Sequence, residues 1–598
     1  MSTRIRQVIA IFSAILFSIR CSAQDPEVLS RLQGLDEYMA KVLKEWNEPG
    51  ACIGIVKNNK LVFAKGYGYR DYGKKLPVTP NTLYQIASNT KLFTTIAVGM
   101  LVQDGKIEWD KPVRNFVPSI KFYNDELDNT ITIHDMLSHR TGISRHDLIW
   151  YKSDFTRKEL YEKLRYLEPS QPLRQGFLYN NMMYASTGYI IEMLSQKKWE
   201  DFVRENIFVP LGMNKTVFSI QDMKKQDDYG VPFNERRDTT TLYQIPFYEE
   251  TGGMGPAGSV ISNVENMSHW LIALMNDGKY EGRQVLPSSA LKSSLEPSVA
   301  LINTSIEKGY TELQGPVYGM GRQMVSYRGH LLAYHGGDLP GFHSQISYMP
   351  QDSIGVIVFV IGNQGQPLYN IITYNIYERL LGMTQTPWNE RRLKEHLDGK
   401  KAEREGRQKA AVGQVKGTKP SHPMEDYYGQ YENPGYGIIR VDKKDSAMQF
   451  TLHKIVLPLS HFHYDRFDTP NDEENGMYSL NFNTNPQGDI DQLVISLDEN
   501  EATFIRKPDE SLSDPTTLAL YAGKYELAGN ISNVVLRNGN ELFISSAGSP
   551  SIKLLPYKTR IFHTKEFADY SVEFTIVNGK VTSMIEKDPS GEYISIKK

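Results

Sequence analysis

The chain has 598 residues, too many for one hydrophobic core, so two to four domains are expected. It is 40% hydrophobic and 23% charged, with a formal net charge of -3, which leaves no global field to draw in nucleic acid. A negative mean hydropathy excludes a polytopic membrane protein.

Residues 1–23 read as a secretion signal. Arg4 and Arg6 form a basic start, and Val8 to Ile19 is an apolar run too short to span a bilayer comfortably. Cys21-Ser22-Ala23 supplies small residues for cleavage, leaving Gln24 first and no stable membrane span. Lipidation of Cys21 fits poorly after Arg20. Cys52, in the apolar strand Ala51-Cys-Ile-Gly-Ile-Val, is then the one thiol left and reads as buried and inert. An exported chain that needs no disulfide suits a bacterial periplasm.

Ile53–Lys57 and Leu61–Lys65 flank Asn58-Asn59 as a hairpin. A helix is expected from about Asn89 to Gln103, where Leu92, Phe93, Ile96, Ala97, Met100 and Leu101 recur at helical spacing and Gly105 stops it. Helices and loops follow to about residue 300. Strands are expected at Met320–Val325, Leu331–His335, Gln345–Met349 and Ile354–Ile361, then a closing helix over Leu368–Leu381. Trp388–Lys419 is highly charged and reads as a solvated helix or linker. Beyond it the chain repeats: Tyr427-Tyr-Gly-Gln-Tyr-Glu432 matches Tyr521-Ala-Gly-Lys-Tyr-Glu526, each followed by short alternating strands. The expected division is a domain over 24–383, a charged helical linker over 384–422, and β units over 423–510 and 515–598; a single larger sandwich is the rival to two units.

Three groups carry chemistry. Ser88 and Lys91 lie three apart at a helix start, on one face, so an amine can take the serine proton. Four other Ser-x-x-Lys stretches exist, at Ser195, Ser289, Ser305 and Ser595, but Ser88 alone opens an apolar helix whose N–H groups and dipole favour a developing oxyanion. Tyr179-Asn180-Asn181 offers a tyrosine that serves as a base if a nearby ammonium lowers its pKa, and an asparagine able to bond the lysine and a substrate amide. His335-Gly336-Gly337-Asp338 combines a strand with glycines that admit close backbone approach, and so a second oxyanion donor.

Together these stretches resemble the serine β-lactamase and penicillin-binding protein superfamily, in its class C, esterase and D-amino-acid peptidase branch. Ile131–Ile143, Pro210–Asn214 and Gly252–Ser259 are similar to further landmarks of that family, in its order, over roughly residues 30–383. The resemblance implies an α/β fold: an antiparallel sheet flanked by helices, a helical lobe, and the site between them. It implies that Ser88 attacks, that Lys91 and Tyr179 share proton transfer, that Asn181 positions lysine and substrate, that His335 takes the place of a lysine, and that Asp338 lends its backbone N–H to the oxyanion hole beside Gly336 and Gly337. The C-terminal units resemble small lipocalin-like β domains, expected to cover the cleft or to mediate homo-oligomer formation.

The family's antibiotic-hydrolysing members carry Lys-Thr-Gly where this chain has His-Gly-Gly. The threonine hydroxyl and fixed cation that grip a β-lactam carboxylate are missing, so an ester, amide or peptide substrate is expected. An acyltransferase, a true β-lactamase and a non-catalytic peptidoglycan-binding protein remain as alternatives. No cofactor is implied, and His461-Phe-His463 offers two histidines without a third metal ligand. No Gly-x-Ser-x-Gly elbow exists.

Overall fold

The computed structural model describes residues 26–598 apart from 250–252, 303–307, 410–412 and the single residues 487, 499, 509, 565 and 568. The secretion signal expected at residues 1–23 lies outside the described residues.

Nine strands form one antiparallel sheet: β1 (Gly50–Lys57), β2 (Lys60–Asp71), β3 (Leu76–Pro77), β4 (Val299–Ala300), β5 (Leu313–Tyr318), β6 (Gln323–Tyr327), β7 (His330–Leu339), β8 (Gly341–Met349) and β9 (Ile354–Gly362). Their order is β4-β5-β6-β7-β8-β9-β1-β2-β3, so the first hairpin closes against the last strand. Strand β9 reads Ile-Gly-Val-Ile-Val-Phe-Val-Ile-Gly and is buried throughout, because both faces of the sheet are covered. Val356, Val358 and Val360 face the layer made by helices α1 (Leu35–Glu45) and α5 (Gln366–Leu380). Ile357, Phe359 and Ile361 face the other layer, which holds α2 (Thr90–Gln103), α3 (Asn181–Ser195) and α4 (Val264–Met275). Cys52 joins this second layer; burial pushes its thiol far above the usual range, so it is inert.

Helix α2 is apolar on nearly every side and correspondingly buried. Its Phe93 ring stacks on Trp270 of α4 with centroids 4.0 Å apart. The helical lobe fills the span between α2 and α4 and is held by local capping: Thr132 with Asp135, and Thr156 with Glu159, form capping boxes. Asp135 also accepts from Arg140 and Arg174, and these cations hold its carboxyl below the usual range against the opposing effect of burial.

The expected strands are present; the one expected over Met320–Val325 starts later, at Gln323, and β2, β7 and β8 run well beyond their apolar cores. Strand β7 runs on through His335-Gly-Gly-Asp to Leu339, and β8 begins at Gly341. The charged stretch forms helix α6 (Trp388–Gln408), which is docked at its start: Trp388 is buried and its Nε1 donates to Tyr327 Oη at 2.8 Å.

The repeat builds two closed eight-stranded antiparallel barrels, from Gly429–Asn433 to Asn500–Arg506 and from Gly523–Leu527 to Gly591–Lys597. The paired motifs reproduce one local geometry. Tyr431 donates to the Tyr427 carbonyl at 3.0 Å, and Tyr525 donates to that of Tyr521 at 2.6 Å. Gly429 and Gly523 share φ +152°, outside the range of other residues. Aromatic side chains fill the first barrel; Phe482 packs edge to face against both Tyr427 and Phe467, so it has a solid core. That core runs without a break into the helical lobe, whereas the second barrel has a core of its own.

Candidate active site

Ser88 lies in a 3-10 turn, Ala87–Asn89, that leads into α2. The turn is tied down on both sides. Ser344 of β8 donates to the Ile86 carbonyl at 2.7 Å and accepts from Asn89 Nδ2 at 2.8 Å. On the other side Thr90 accepts from the Val260 amide at 3.1 Å, and Thr94 donates to the Pro256 carbonyl at 2.7 Å. Ala87 is held at φ +48°, and Ser88 is the partly exposed residue among buried neighbours.

Lys91, one helical turn on, is fully buried. Its Nζ lies 3.0 Å from Ser88 Oγ, 2.8 Å from Asn181 Oδ1 and 2.9 Å from the Ala257 carbonyl oxygen. Asn181 begins α3, capped by Asn180, whose side chain accepts from the Met182 amide and donates to the Ser144 carbonyl. Of the two adjacent asparagines, one therefore shapes the helix and the other touches the lysine. Asn181 donates through Nδ2 to Asp147 Oδ1 at 3.1 Å, which orients its amide oxygen toward Lys91.

Tyr179 donates to Ser88 Oγ at 2.9 Å. Its ring is backed by His139 at 4.3 Å, and His139 Nδ1 accepts from the Asn180 amide. The Lys91 amine and the Arg145 guanidinium lie over the ring face, at 4.9 Å and 5.3 Å from its centroid. The expectation that a nearby ammonium lowers the Tyr179 pKa is not met. Burial outweighs the hydrogen bond to Ser88 and the charge of Arg145, and the phenol is pushed well above its ordinary value.

His335-Gly336-Gly337-Asp338 stands against the Ser88 turn. Pairing of β6 with β7 ends at Gln323 with Tyr334, while pairing of β7 with β8 continues to Leu339 with Phe342. Residues 335–339 therefore present an open backbone edge. A Cβ at Gly337 would collide with the Ile86 carbonyl oxygen and stand 3.0 Å from the Ser88 amide nitrogen; at Gly336 it would collide with the Tyr369 hydroxyl. Asp338 accepts from Tyr369 at 3.1 Å and pairs with His343 at 2.7 Å. His335 Nδ1 lies 2.5 Å from the Gly336 carbonyl oxygen, which only accepts, so that nitrogen carries the proton. Nε2 then accepts from Tyr318 at 3.0 Å. Burial pushes the His335 pKa down to about 3, so the ring is neutral.

All eight residues singled out from sequence thus lie at one place. Those not legible there are Asp147, Arg145, Tyr318, Tyr369, Ser344 and the Ala257 carbonyl. They arrive from distant segments with no spacing signal; Asp147 is 34 positions from the asparagine it orients. Among the described residues no group of three or more His, Cys, Asp or Glu could hold a metal ion.

Beside the site lies a cleft of about 890 Å³. Trp150, Tyr151, Phe247 and Tyr248 line it from the catalytic domain; Lys454, Glu473 and Glu474 close it from the first barrel. Tyr151 and Tyr248 stack at 5.9 Å, and the Tyr248 carbonyl accepts from Gln85, three residues before Ser88.

The first barrel also grips the loop that carries Asp147. Asn500 accepts from Ser144 at 2.8 Å, Tyr436 meets His146 at 2.7 Å, and Asp498 accepts from the Leu148 amide at 3.1 Å. His453 donates to the Leu148 carbonyl at 3.1 Å, and Lys152 reaches Glu474 at 2.7 Å.

A serine turn, a buried lysine and a tyrosine lie together between an antiparallel sheet and a helical lobe, the arrangement of a serine hydrolase fold of the penicillin-recognising kind. The beta-lactamase family model matches residues 35–381, and a domain of unknown function (DUF3471) matches residues 413–506. The chain belongs to the beta-lactamase family. It is 27% identical over 460 residues to an unguisins hydrolase of Aspergillus campestris, covering 69% of this chain and 81% of that protein. It is 29% identical over 335 residues to protein flp of Staphylococcus aureus, covering 54% of this chain and 62% of that protein, under two thirds of its length. Among solved structures, an octameric penicillin-binding protein homologue from Pyrococcus abyssi superposes with a TM-score of 0.52 at 20% identity, over 94% of this chain and 99% of that one.

Proposed function

We propose that the protein is an exported hydrolase that forms an acyl-enzyme on Ser88, with an ester, amide or peptide as its substrate. The observation that carries this reading is the surround of Lys91 Nζ. A neutral amine that donates one N–H to Asn181 Oδ1 and the other to the Ala257 carbonyl directs its lone pair at Ser88 Oγ. Lys91 is then the base. Tyr179, kept protonated by burial, donates to Ser88 Oγ and is placed to pass its proton to the leaving group while regaining one from the serine–lysine pair. The Ser88 amide and an N–H of the open β7 edge, that of Asp338, supply the oxyanion donors. Attack forms the Ser88 ester and releases the amine or alcohol; water then cleaves that ester by the same groups in reverse.

The preference against a β-lactam rests on His335. It is neutral, and both its ring nitrogens are bonded within the protein, so it offers no cation to a substrate carboxylate. Arg145 is paired with Asp147. The open edge of β7 suits an extended backbone laid beside it, as a peptide or amide would be. The wide aromatic cleft supports a bulky acyl group, and the likeness to an unguisins hydrolase supports hydrolysis as the reaction. Export to a periplasm rests on the signal at residues 1–23; among the described residues no helix is long and apolar enough to cross a membrane.

The test is a substrate panel of p-nitrophenyl esters, D-alanyl amides and a chromogenic cephalosporin, run on wild type and Ser88→Ala. Turnover of esters or amides that the variant lacks supports the reading. Faster turnover of the cephalosporin than of every ester and amide contradicts the substrate class.

A further inference from the structure

Arg322 is the most buried cation that the proposed chemistry does not use. It follows Gly321 in the turn between β5 and β6, where Gly321, at φ +76°, lies against Leu92 and Thr95 of α2. The residue is 2% exposed. One guanidinium nitrogen, Nη1, donates to the Tyr348 hydroxyl. Nε and Nη2 are buried and have no hydrogen-bond partner among the described residues. The one group bearing on its charge is the Tyr348 phenol, itself held protonated by burial. An arginine does not escape such a site by giving up its proton, and a lone buried charge with unmade hydrogen bonds is strongly unfavourable.

Arg322 lines a small cavity of about 20 Å³, walled also by Asn89, Tyr334, His335, Tyr348 and the apolar side chains of Trp270 and Ile346. That volume holds one sphere of about the size of a water molecule. A water there would accept from Nε and Nη2. It would leave the guanidinium charge uncompensated. A spherical anion accepts both N–H groups, neutralises the guanidinium and requires no acceptor.

We propose that Arg322 binds a single small monovalent anion, chloride or one of similar size, in this cavity. The site lies under both walls of the catalytic serine, since Asn89 follows Ser88 and His335 starts the open edge of β7. It is independent of the substrate and of the acyl-enzyme chemistry.

The experiment uses the full-length protein exchanged into sodium gluconate, then compared at equal ionic strength in gluconate, chloride and bromide at about 0.2 M, with thermal unfolding as the readout. A site with a dissociation constant near a tenth of that concentration raises Tm by about 2 °C or more in chloride and bromide. Bromide-soaked crystals show an anomalous peak beside Arg322 Nε and Nη2, and Arg322→Met removes the halide-dependent shift. Equal Tm in the three salts without a bromide peak overturns the proposal and leaves a water in the cavity. A shift of the same size in Arg322→Met overturns it too, because the halide then binds elsewhere. If Arg322→Met fails to fold, the wild-type salt comparison and the bromide map decide between anion and water.

Discussion

The oxygen of Ser88 is contacted from two sides, by an amine and by a phenol, and the protein fixes which group has a proton to give. Burial keeps Tyr179 protonated, and in the proposed chemistry Lys91 is a neutral amine whose two hydrogens go to the Asn181 and Ala257 carbonyl oxygens. Tyr179→Phe is therefore expected to lower kcat/KM by about 10²–10⁴-fold, the range for a lost general acid or base, while the protein still folds. Because the phenol is held above its ordinary value, its ionisation places no limb in the pH–rate profile of wild type between pH 6 and 8, read as about the physiological window. A limb in that window that Tyr179→Phe abolishes contradicts the assignment. Gly337→Ala probes the other wall. Its methyl group has nowhere to go but into the Ile86 carbonyl and toward the Ser88 amide. Loss of one oxyanion donor costs about 10²–10³-fold in kcat, and a loss of that order is expected together with a lowered Tm, because the turn must shift to admit the methyl group. Serine, lysine and tyrosine were legible in sequence because each sits in a short local motif. Tyr318, which fixes the His335 tautomer, and Asp147, which fixes the Asn181 amide, were not, since their partnerships arise only when distant segments meet.

Among the elements, the loop from Ser144 to Asp154 is the link between chemistry and the first barrel. It carries Asp147 on one side and is held by Tyr436, His453, Asp498 and Asn500 on the other. Two histidines in this contact are buried in neutral form: burial takes both His146 and His453 from 6.5 down to about 4. Their folded values are depressed, so as pH falls the unfolded chain takes up protons first. The stability they allow is full above pH 6.5 and is lost as pH falls toward about 4, by on the order of 3 kcal/mol each at most. Tm measured from pH 7.5 down to pH 4.5 should drop, and His146→Gln with His453→Gln should flatten the drop; an unchanged slope in the double variant contradicts this. The hydrophobic periods predicted the helices and the cores of the strands, as Ile354–Ile361 and Leu92–Leu101 show. They could not predict how far β7 runs, because its last five residues include two glycines, a histidine and an aspartate that serve an open edge and not a packed face.

For the molecule as a whole, the two barrels differ in kind although their sequences repeat. The first shares its core with the helical lobe and supplies one wall of the cleft. The second has a separate core and meets the first through contacts such as Tyr557 with the Ile490 carbonyl at 2.6 Å and Lys558 with Asp426 at 3.1 Å. Removal of residues 511–598 should leave kcat within about threefold of wild type, whereas removal from residue 413 onward should cost more than about tenfold, through a loosened Asp147–Asn181–Lys91 chain. Equal activity in the two truncations contradicts a positioning role for the first barrel. The repeated Tyr-x-Gly-x-Tyr-Glu revealed that there are two β units. That each closes into eight strands, and that one is fused to the catalytic domain, depends on pairing between remote strands that carry no shared motif.

The central claim is that Ser88 becomes acylated with Lys91 as its base, and mass spectrometry of the intact protein after reaction with a fluorophosphonate, followed by peptide mapping, tests it most directly. Wild type should gain one adduct, located on Ser88. Lys91→Met should react at least about 10²-fold more slowly, and Ser88→Ala should gain none. An adduct on another residue, or full labelling of Ser88→Ala, would contradict the account.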